Sequence, residues 1–315
     1  VHRRSWKPAD FEPGRTAVDV GSANALARAH AIDREGGAMS PSVVRVMTLN
    51  CWHVSEPFNE RMTAIRAGIE HHRPDLIGLQ EIVVRRDGFD QAAEILAGSG
   101  YDHVYGAAFR FDGSGEILPH DADGDGFGNA IASRWPISAA EVRALPGTDS
   151  GERRSAIGAR IESPHGRIPF VATHLNWKLH HGVVRESQVP AVADLAWELA
   201  SDADFPPIVV GDLNAEPDST EIRFLCGLAS LGGRSTYFQD AWRVAGDGAR
   251  GCTWDNRNPY AAIGCEPTRR LDYILIGQAY ASGRGIVESA QLVLDQPYAG
   301  VYASDHFGLI ADVRA

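Results

Sequence analysis

The feature that most constrains this chain is a recurring run of apolar residues that closes on a polar one. "VVRVMTLN" (43–50) ends at Asn50 and "DLIGLQE" (75–81) at Glu81. "RIPFVATHL" (167–175) carries His174 at its end, and "PPIVVGDLN" (206–214) closes on Asp212 and Asn214. Near the C-terminus Asp272 opens "DYILI", and Asp305-His306 stands immediately before "FGLIADV". Short apolar runs bounded by turn signals predict strands buried on both faces. A strand with an apolar body and a polar tip places that tip at the sheet rim, where loops form pockets. One such residue says little, because strand-end Asp and Asn are common turn formers. Several segments tipped only by Asn, Asp, Glu and His point to one shared site.

Amphipathic helices separate these runs. "NERMTAIRAGIEHH" (59–72) lines Met62, Ile65 and Ile69 on one face, with Pro74 just beyond. "DQAAEILAGSG" (90–100) is stopped by glycine. A long helical pattern carries Val189, Val192, Leu195, Ala196 and Leu199 on one side, and Pro190 is expected in its first turn or at a kink. "DSTEIRFLCGLAS" (218–230) opens with a capping-box pattern from Asp218 to Glu221. "NAIASRWPI" (129–137) and "SAIGARIES" (155–163) read as strands of an antiparallel meander. The order predicts an α/β fold, and 315 residues, 44% of them hydrophobic, supply an ample core. Residues 1–42 are polar, Arg-rich and poorly periodic, so they are expected to form a flexible or peripheral extension to one catalytic domain over 43–315. Met39-Ser40-Pro41 is also compatible with a translation start there.

Charge and cysteine content narrow the function classes. The formal net charge is −11, and lysine occurs only at Lys7 and Lys178. A general polyanion-binding surface normally shows as a basic stripe, so nucleic acid remains an alternative partner and is not the favoured one. Cys51, Cys226, Cys252 and Cys265 show no metal-type spacing. Four reduced, packed thiols are expected, with a Cys252–Cys265 bridge as the alternative. No apolar run reaches the ~18 residues that span a bilayer, and the first residues lack the apolar core of a secretion signal. A cytoplasmic location is the default expectation. Secretion stays open, because the sequence begins at Val1 and a signal could precede it.

The polar tips suit hydrolysis of a phosphate ester. Glu81 and Asp305 are hard oxygen donors of the kind Mg²⁺ takes, with Mn²⁺ as a substitute, and Asn50 can complete the surroundings or orient a phosphate oxygen. Asp212 and Asn214, two apart on one strand end, point the same way and can hold an attacking water. His174 and His306 can hydrogen-bond phosphate oxygens or move protons, with Asp272 fixing the imidazole of His306. No Ser or Cys elbow of nucleophile type is visible, so direct attack by water is expected.

Taken in order, "VMTLNCW", "PDLIGLQEI", "GNAIASRWPI", "VATHLNW", "VVGDLNAEPDS", "RLDYILI" and "ASDHFGLIADV" resemble the endonuclease/exonuclease/phosphatase superfamily across about Val43 to Val313. The resemblance implies a DNase I-like four-layer sandwich, two packed mixed β-sheets flanked by helices, with the site at one sheet edge. It implies that Glu81 is the main metal ligand with Asn50 and Asp305 nearby, and that Asp212 orients or deprotonates water. Asn214 would hold the phosphate, His306 would pair with Asp272, and His174 would serve the opposite side of the phosphorus. The family's phosphate-contacting arginine falls on Arg153 or Arg154, with Arg154 preferred because it directly precedes "SAIGARI". "LNCW", "LAWELA" and "GCTW" add a local resemblance to neutral sphingomyelinases.

Side signals complete the reading. Lys178 is a candidate contact to a substrate phosphate, weighed against a surface lysine. Trp52, Trp177 and Trp254 lie close to site motifs and could stack on a sugar or base, or pack the core. His180 and His181 read as solvated loop histidines. "DADGDG" (121–126) matches the opening of a Ca²⁺ loop, so a weak accessory Ca²⁺ site at Asp121, Asp123 and Asp125 competes with a plain acidic loop. Position twelve is Ala132, where a bidentate Glu is required. The expected activity is Mg²⁺-dependent phosphoester hydrolysis, leaning to a phosphodiesterase on a non-nucleic-acid substrate such as a sphingomyelin-like phospholipid or a small organophosphate. Alternatives are a DNA or RNA nuclease, a sugar- or inositol-phosphate phosphatase, and a catalytically inactive binding module.

Overall fold

In the computed structural model, residues 42–147, 149 and 151–315 are described. The expected extension over 1–42 lies, apart from Ser42, outside the described residues. Thirteen strands and six helices follow in this order: β1 (Val43–Asn50), α1 (Phe58–His72), β2 (Leu76–Val84), α2 (Gln91–Leu96), β3 (Asp102–Phe111), β4 (Ile117–Leu118), β5 (Asp125–Ser133), β6 (Ile137–Ala144), β7 (Ser155–Ser163), β8 (Gly166–His174), α3 (Gly182–Leu199), β9 (Ile208–Asp212), α4 (Thr220–Leu225), β10 (Phe238–Asp240), α5 (Ala241–Ala245), α6 (Pro259–Ala262), β11 (Asp272–Gly277), β12 (Val287–Val293) and β13 (Gly308–Arg314). One sheet has the order β12-β13-β1-β2-β5-β3-β4 and the other β10-β11-β9-β8-β7-β6. Both are mixed: β1–β2 and β8–β9 are parallel pairs among antiparallel neighbours.

The layering follows from alternation along the strands, whose successive side chains face opposite ways. In β1, Val46 faces the core between the sheets while Met47 faces the outer core under α1. In β9, Ile208 and Val210 meet the other sheet while Val209 packs under α3. β11 divides Ile274 and Ile276 from Tyr273 and Leu275 in the same way. Three apolar layers therefore hold four structural ones: α1 and α2, the two sheets, then α3 and α4. This is the expected four-layer sandwich.

Several local expectations need correction. The segments 129–137 and 155–163 are not neighbours in one meander, because β5 belongs to the first sheet and β7 to the second. The meander is β6-β7-β8, and Pro136 ends the alternation before β6 starts at Ile137. Pro190 lies in the middle of α3, beyond its first turn. The cap of α4 is Ser219, whose side chain accepts from the Ile222 N–H, while Glu221 is buried against Arg185 at 2.9 Å. The buried ion pair takes the Glu221 carboxylate that a capping box would turn back to the helix N-terminus. All four cysteines are free thiols, three of them buried.

Candidate active site

Glu81 reaches the site through an irregularity in its strand. The pairing of β2 with β5 shifts between Leu79 and Ile82, so Gln80 and Glu81 together oppose Asn129. Such a bulge re-aims one side chain, and Glu81 adopts a left-handed φ of 58°. Gln80 stays interior against Thr48. Asn50, at the tip of β1, donates its amide to Glu81 Oε1 at 3.3 Å and Asp212 Oδ2 at 3.1 Å. Its own oxygen accepts from the Trp52 N–H at 3.0 Å, which fixes the amide orientation.

Across the second sheet, register aligns the next three groups: His174 pairs with Asp212 and Asp212 with Asp272. Glycine precedes Asp212 for a steric reason. Gly211 has φ +149°, and a β-carbon there would lie 1.9 Å from the Thr173 carbonyl oxygen. Asp212 Oδ1 accepts from the Asn214 N–H at 2.9 Å. Its Oδ2 stands 3.4 Å from His174 Nε2 and 3.6 Å from His306 Nε2. His306 Nδ1 is bonded to Asp272 Oδ2 at 2.8 Å, and Thr253 Oγ1 accepts from the backbone N–H groups of Leu271 and Asp272. Asn214 donates its side-chain amide to the Leu175 carbonyl.

Burial divides the two imidazoles. Both are buried, and burial disfavours charge on each. His174 is held well below the ordinary histidine value, first by burial and then by Arg154 and His306. Around His306 the carboxylates of Asp272, Asp212 and Asp305 outweigh burial and raise it well above that value. The surroundings therefore push one imidazole toward its neutral form and the other toward the imidazolium, the kind of separation that acid–base chemistry uses. The carboxyls move upward. Burial, with Asp272 adding, pushes Asp212 up to about 7, and burial with Glu81 adding pushes Asp305 up to about 6. Burial also raises Glu81. These buried acids repel one another, and a bound cation would relieve that repulsion.

Two donor sets fit a divalent cation. Glu81 and Asp305 supply hard oxygen atoms, the chemistry Mg²⁺ prefers, whereas Asn50, expected beside them as a ligand, turns its NH2 to the acids and its oxygen to the Trp52 N–H. Among the described residues, ligand atoms of Asp212, Asp272 and His306 also lie within 4.8 Å of one another. Asp121, Asp123 and Asp125 do not gather in this way. Asp125 is instead tied to Arg86, accepting its backbone N–H at 3.0 Å. The accessory Ca²⁺ reading is withdrawn, since the loop runs straight into β5.

These groups open into a cleft of ≈580 Å³. Asn50, Glu81, Arg154, His174, Asp212, Asn214, Asp305 and His306 all line it, while Asp272 sits behind His306. Arg154 is buried and ion-paired with Glu152, and its Nη1 has no protein partner. Arg153 lines the cleft as well. Lys178 is not part of this lining; its backbone N–H donates to Asn176 and its carbonyl accepts from Arg185. Trp52, Trp177 and Trp254 all face the cleft, beside Phe109 and Phe127, whose rings stack at 5.0 Å. Trp254 also meets the His306 ring edge at 5.0 Å. The rim beyond His174 exposes Trp177, Leu179 and Val183 by 53, 55 and 75%.

Arg61 was invisible from the sequence. Its side chain is wholly buried and donates to the carbonyls of Cys51, Trp52, His53, Ser55 and Ala303. It thereby ties the loop after Asn50 to the loop before Asp305. Sequence reading assigned only the Met62 face of α1 to the core, and an arginine beside that face reads as solvent-exposed.

The chain matches the family model described as the Endonuclease/Exonuclease/phosphatase family over residues 47–306. It belongs to that family, and with it to the phosphoester hydrolases. Solved structures carry the same fold. A D. rerio TDP2 humanized by 14 mutations is 18% identical with a TM-score of 0.67, over 87% of this chain and 99% of that one. The human Nocturnin catalytic domain with bound sulfate is 21% identical with a TM-score of 0.63, over 88% and 96%. A Bacteroides vulgatus endonuclease/exonuclease/phosphatase is 19% identical with a TM-score of 0.63, over 86% and 98%. No curated protein sequence matches the chain. No described helix is long and apolar enough to cross a membrane.

Proposed function

We propose that the chain is a Mg²⁺-dependent phosphodiesterase. The observation that carries this reading is the convergence of Asp212 with Asn50, His174 and His306 in the cleft that Glu81 and Asp305 also line. Glu81 and Asp305 would hold the cation, with Asn50 orienting the Glu81 and Asp212 carboxylates and the Asp212 group as the alternative seat. When bound, the cation supplies charge that polarises the phosphoryl group. Asp212, its pKa raised toward neutrality, takes a proton from the attacking water, its carboxylate plane held by the Asn214 backbone N–H on one oxygen and the Asn50 amide on the other. His306, kept protonated by Asp272, donates to a phosphate oxygen. His174, kept neutral, and Arg154 contact the phosphate from the other side.

A diester fits the charge better than a monoester. Arg154 is matched by Glu152 and Arg269 by Glu266, so two of the three guanidinium groups in the lining are already neutralised. A singly charged diester needs less than a doubly charged monoester. The aromatic walls suit an apolar group beside the phosphorus, and the exposed Trp177, Leu179 and Val183 favour a lipid-like substrate such as sphingomyelin. Stacked Phe109 and Phe127 favour a nucleotide as the second reading. Initial rates on bis(p-nitrophenyl) phosphate and p-nitrophenyl phosphate test the first claim. The diester should turn over faster, with EDTA abolishing and Mg²⁺ restoring the rate. A faster monoester, or indifference to EDTA, overturns it. A parallel screen of sphingomyelin, oligonucleotides and inositol phosphates then separates the substrates.

A further inference from the structure

A second hollow, ≈440 Å³, lies on the far side of the segment that leads into β11. Arg223, Arg243, Arg250 and Arg270 line it, together with Trp242 and the carboxylate of Asp218. Arg270 is buried and its charge is matched by two 2.8 Å bonds to Asp240. Among the described residues the other three guanidinium groups have no carboxylate at ion-pair distance. Arg223 and Arg250 reach only the carbonyls of Leu228 and Thr268. Three uncompensated cations against one rim carboxylate make a locally positive hollow on a chain of net charge −11. A guanidinium cluster of this kind matches phosphate oxygens, which accept paired N–H bonds from a planar fork.

Its position connects it to the catalytic cleft. Arg269 and Leu271 line the cleft while Arg270, between them, lines the hollow. The two therefore open on either side of one stretch of chain. A trough of ≈280 Å³ runs between them, sharing Asn214 and Arg269 with the cleft and Asp218 with the hollow. We infer that this arginine hollow is a subsite for a second phosphate group on the same substrate whose scissile phosphate occupies the cleft. The inference rests on the phosphoesterase reading for its catalytic half, whereas anion binding at the hollow stands without it. The second phosphate could belong to an oligonucleotide or to a small polyphosphorylated alcohol such as an inositol phosphate.

Two measurements on the full chain test this. Isothermal titration with inorganic pyrophosphate in EDTA should show binding at the hollow that weakens by roughly tenfold or more in the Arg243→Gln/Arg250→Gln variant, since each charged hydrogen bond is worth about that factor. The Arg243→Lys/Arg250→Lys variant should be intermediate, because it keeps charge and loses the fork. Equal affinity in all three overturns the subsite. Kinetics form the second arm. The double Gln variant should keep wild-type turnover of bis(p-nitrophenyl) phosphate. Its KM should rise by roughly tenfold, at unchanged kcat, for either a thymidine oligonucleotide series or inositol phosphates, which identifies the source of the phosphate. Unchanged KM for both overturns the shared-substrate inference. Absence of any turnover by wild type refutes the phosphoesterase reading instead, and leaves the titration to decide the hollow.

Discussion

At the residue scale one carboxyl stands between two imidazoles, one pushed toward its neutral form and the other toward its charged form. Asp212 touches both, and only His306 has a carboxylate at its far nitrogen. Asp212→Asn keeps the shape but offers one amide oxygen to two donors, so it can accept from the Asn50 amide or the Asn214 N–H and not both, and it removes the proton acceptor. Turnover should fall by roughly 10²-fold or more, measured as kcat on the diester with unchanged circular dichroism. His306→Ala should be as damaging, and Asp272→Ala milder at roughly 10–100-fold, because it only orients the imidazole. A near-wild-type Asp212→Asn would exclude the role given to it. These acids and histidines were legible because a polar group at the end of an apolar strand is conspicuous. The aromatic lining was legible only in part: Trp52, Trp177 and Trp254 stood near site motifs, whereas Phe109 and Phe127 sit in ordinary strand positions of β3 and β5.

At the element scale, backbone geometry delivers these side chains. Gly211→Ala would drive a β-carbon into the Thr173 carbonyl and separate β8 from β9 where His174 and Asp212 meet. Both the melting temperature and kcat should drop together; loss of neither would show that the strands give way freely. Arg61→Met would leave the Cys51, Ser55 and Ala303 carbonyls without their donor, whereas the Trp52 and His53 carbonyls keep the Ser55 N–H and the Gln91 amide. Each unsatisfied buried group costs about 1–3 kcal/mol, so chemical denaturation should show a loss of several kcal/mol and weakened Mg²⁺ affinity. The start of α2 carries a pH-dependent contact of its own. Asp90 caps the helix and meets His103 at 3.3 Å. Hydrogen bonding to Asp90 raises His103, while on Asp90 the His103 and helix N–H bonds outweigh burial and lower it. The His103 contribution is therefore full below the unfolded value of 6.5 and is lost as pH rises through its raised folded value. The Asp90 contribution is full above 3.8 and lost as pH falls through its lowered one. His103→Gln should lower the melting temperature more at about pH 5.5 than at about pH 9; an equal effect at both would remove the pair from the account.

At the scale of the whole molecule, two sheets bring together the tips of β1, β8 and β9, the bulge in β2, the start of β11 and the loop before β13. A cation bridging Glu81 and Asp305 would bind the folded chain and not the unfolded one, so Mg²⁺ should raise the melting temperature with concentration and EDTA should lower it; a Glu81→Gln chain should lose that response. A Glu81→Gln chain that keeps it would move the cation to the Asp212 group. The sequence alone determined which segments are buried strands, that several of them close on Asn, Asp, Glu or His, and the family order they follow, because alternation, burial and residue chemistry are local properties. Tertiary structure alone decided that β5 and β7 lie in different sheets, that a bulge turns Glu81 into the cleft, that Arg61 is interior and Lys178 stands aside, and that four arginines from separate segments share one hollow. Those outcomes depend on pairing and packing between residues far apart in the chain, and no spacing along it records which strands become neighbours.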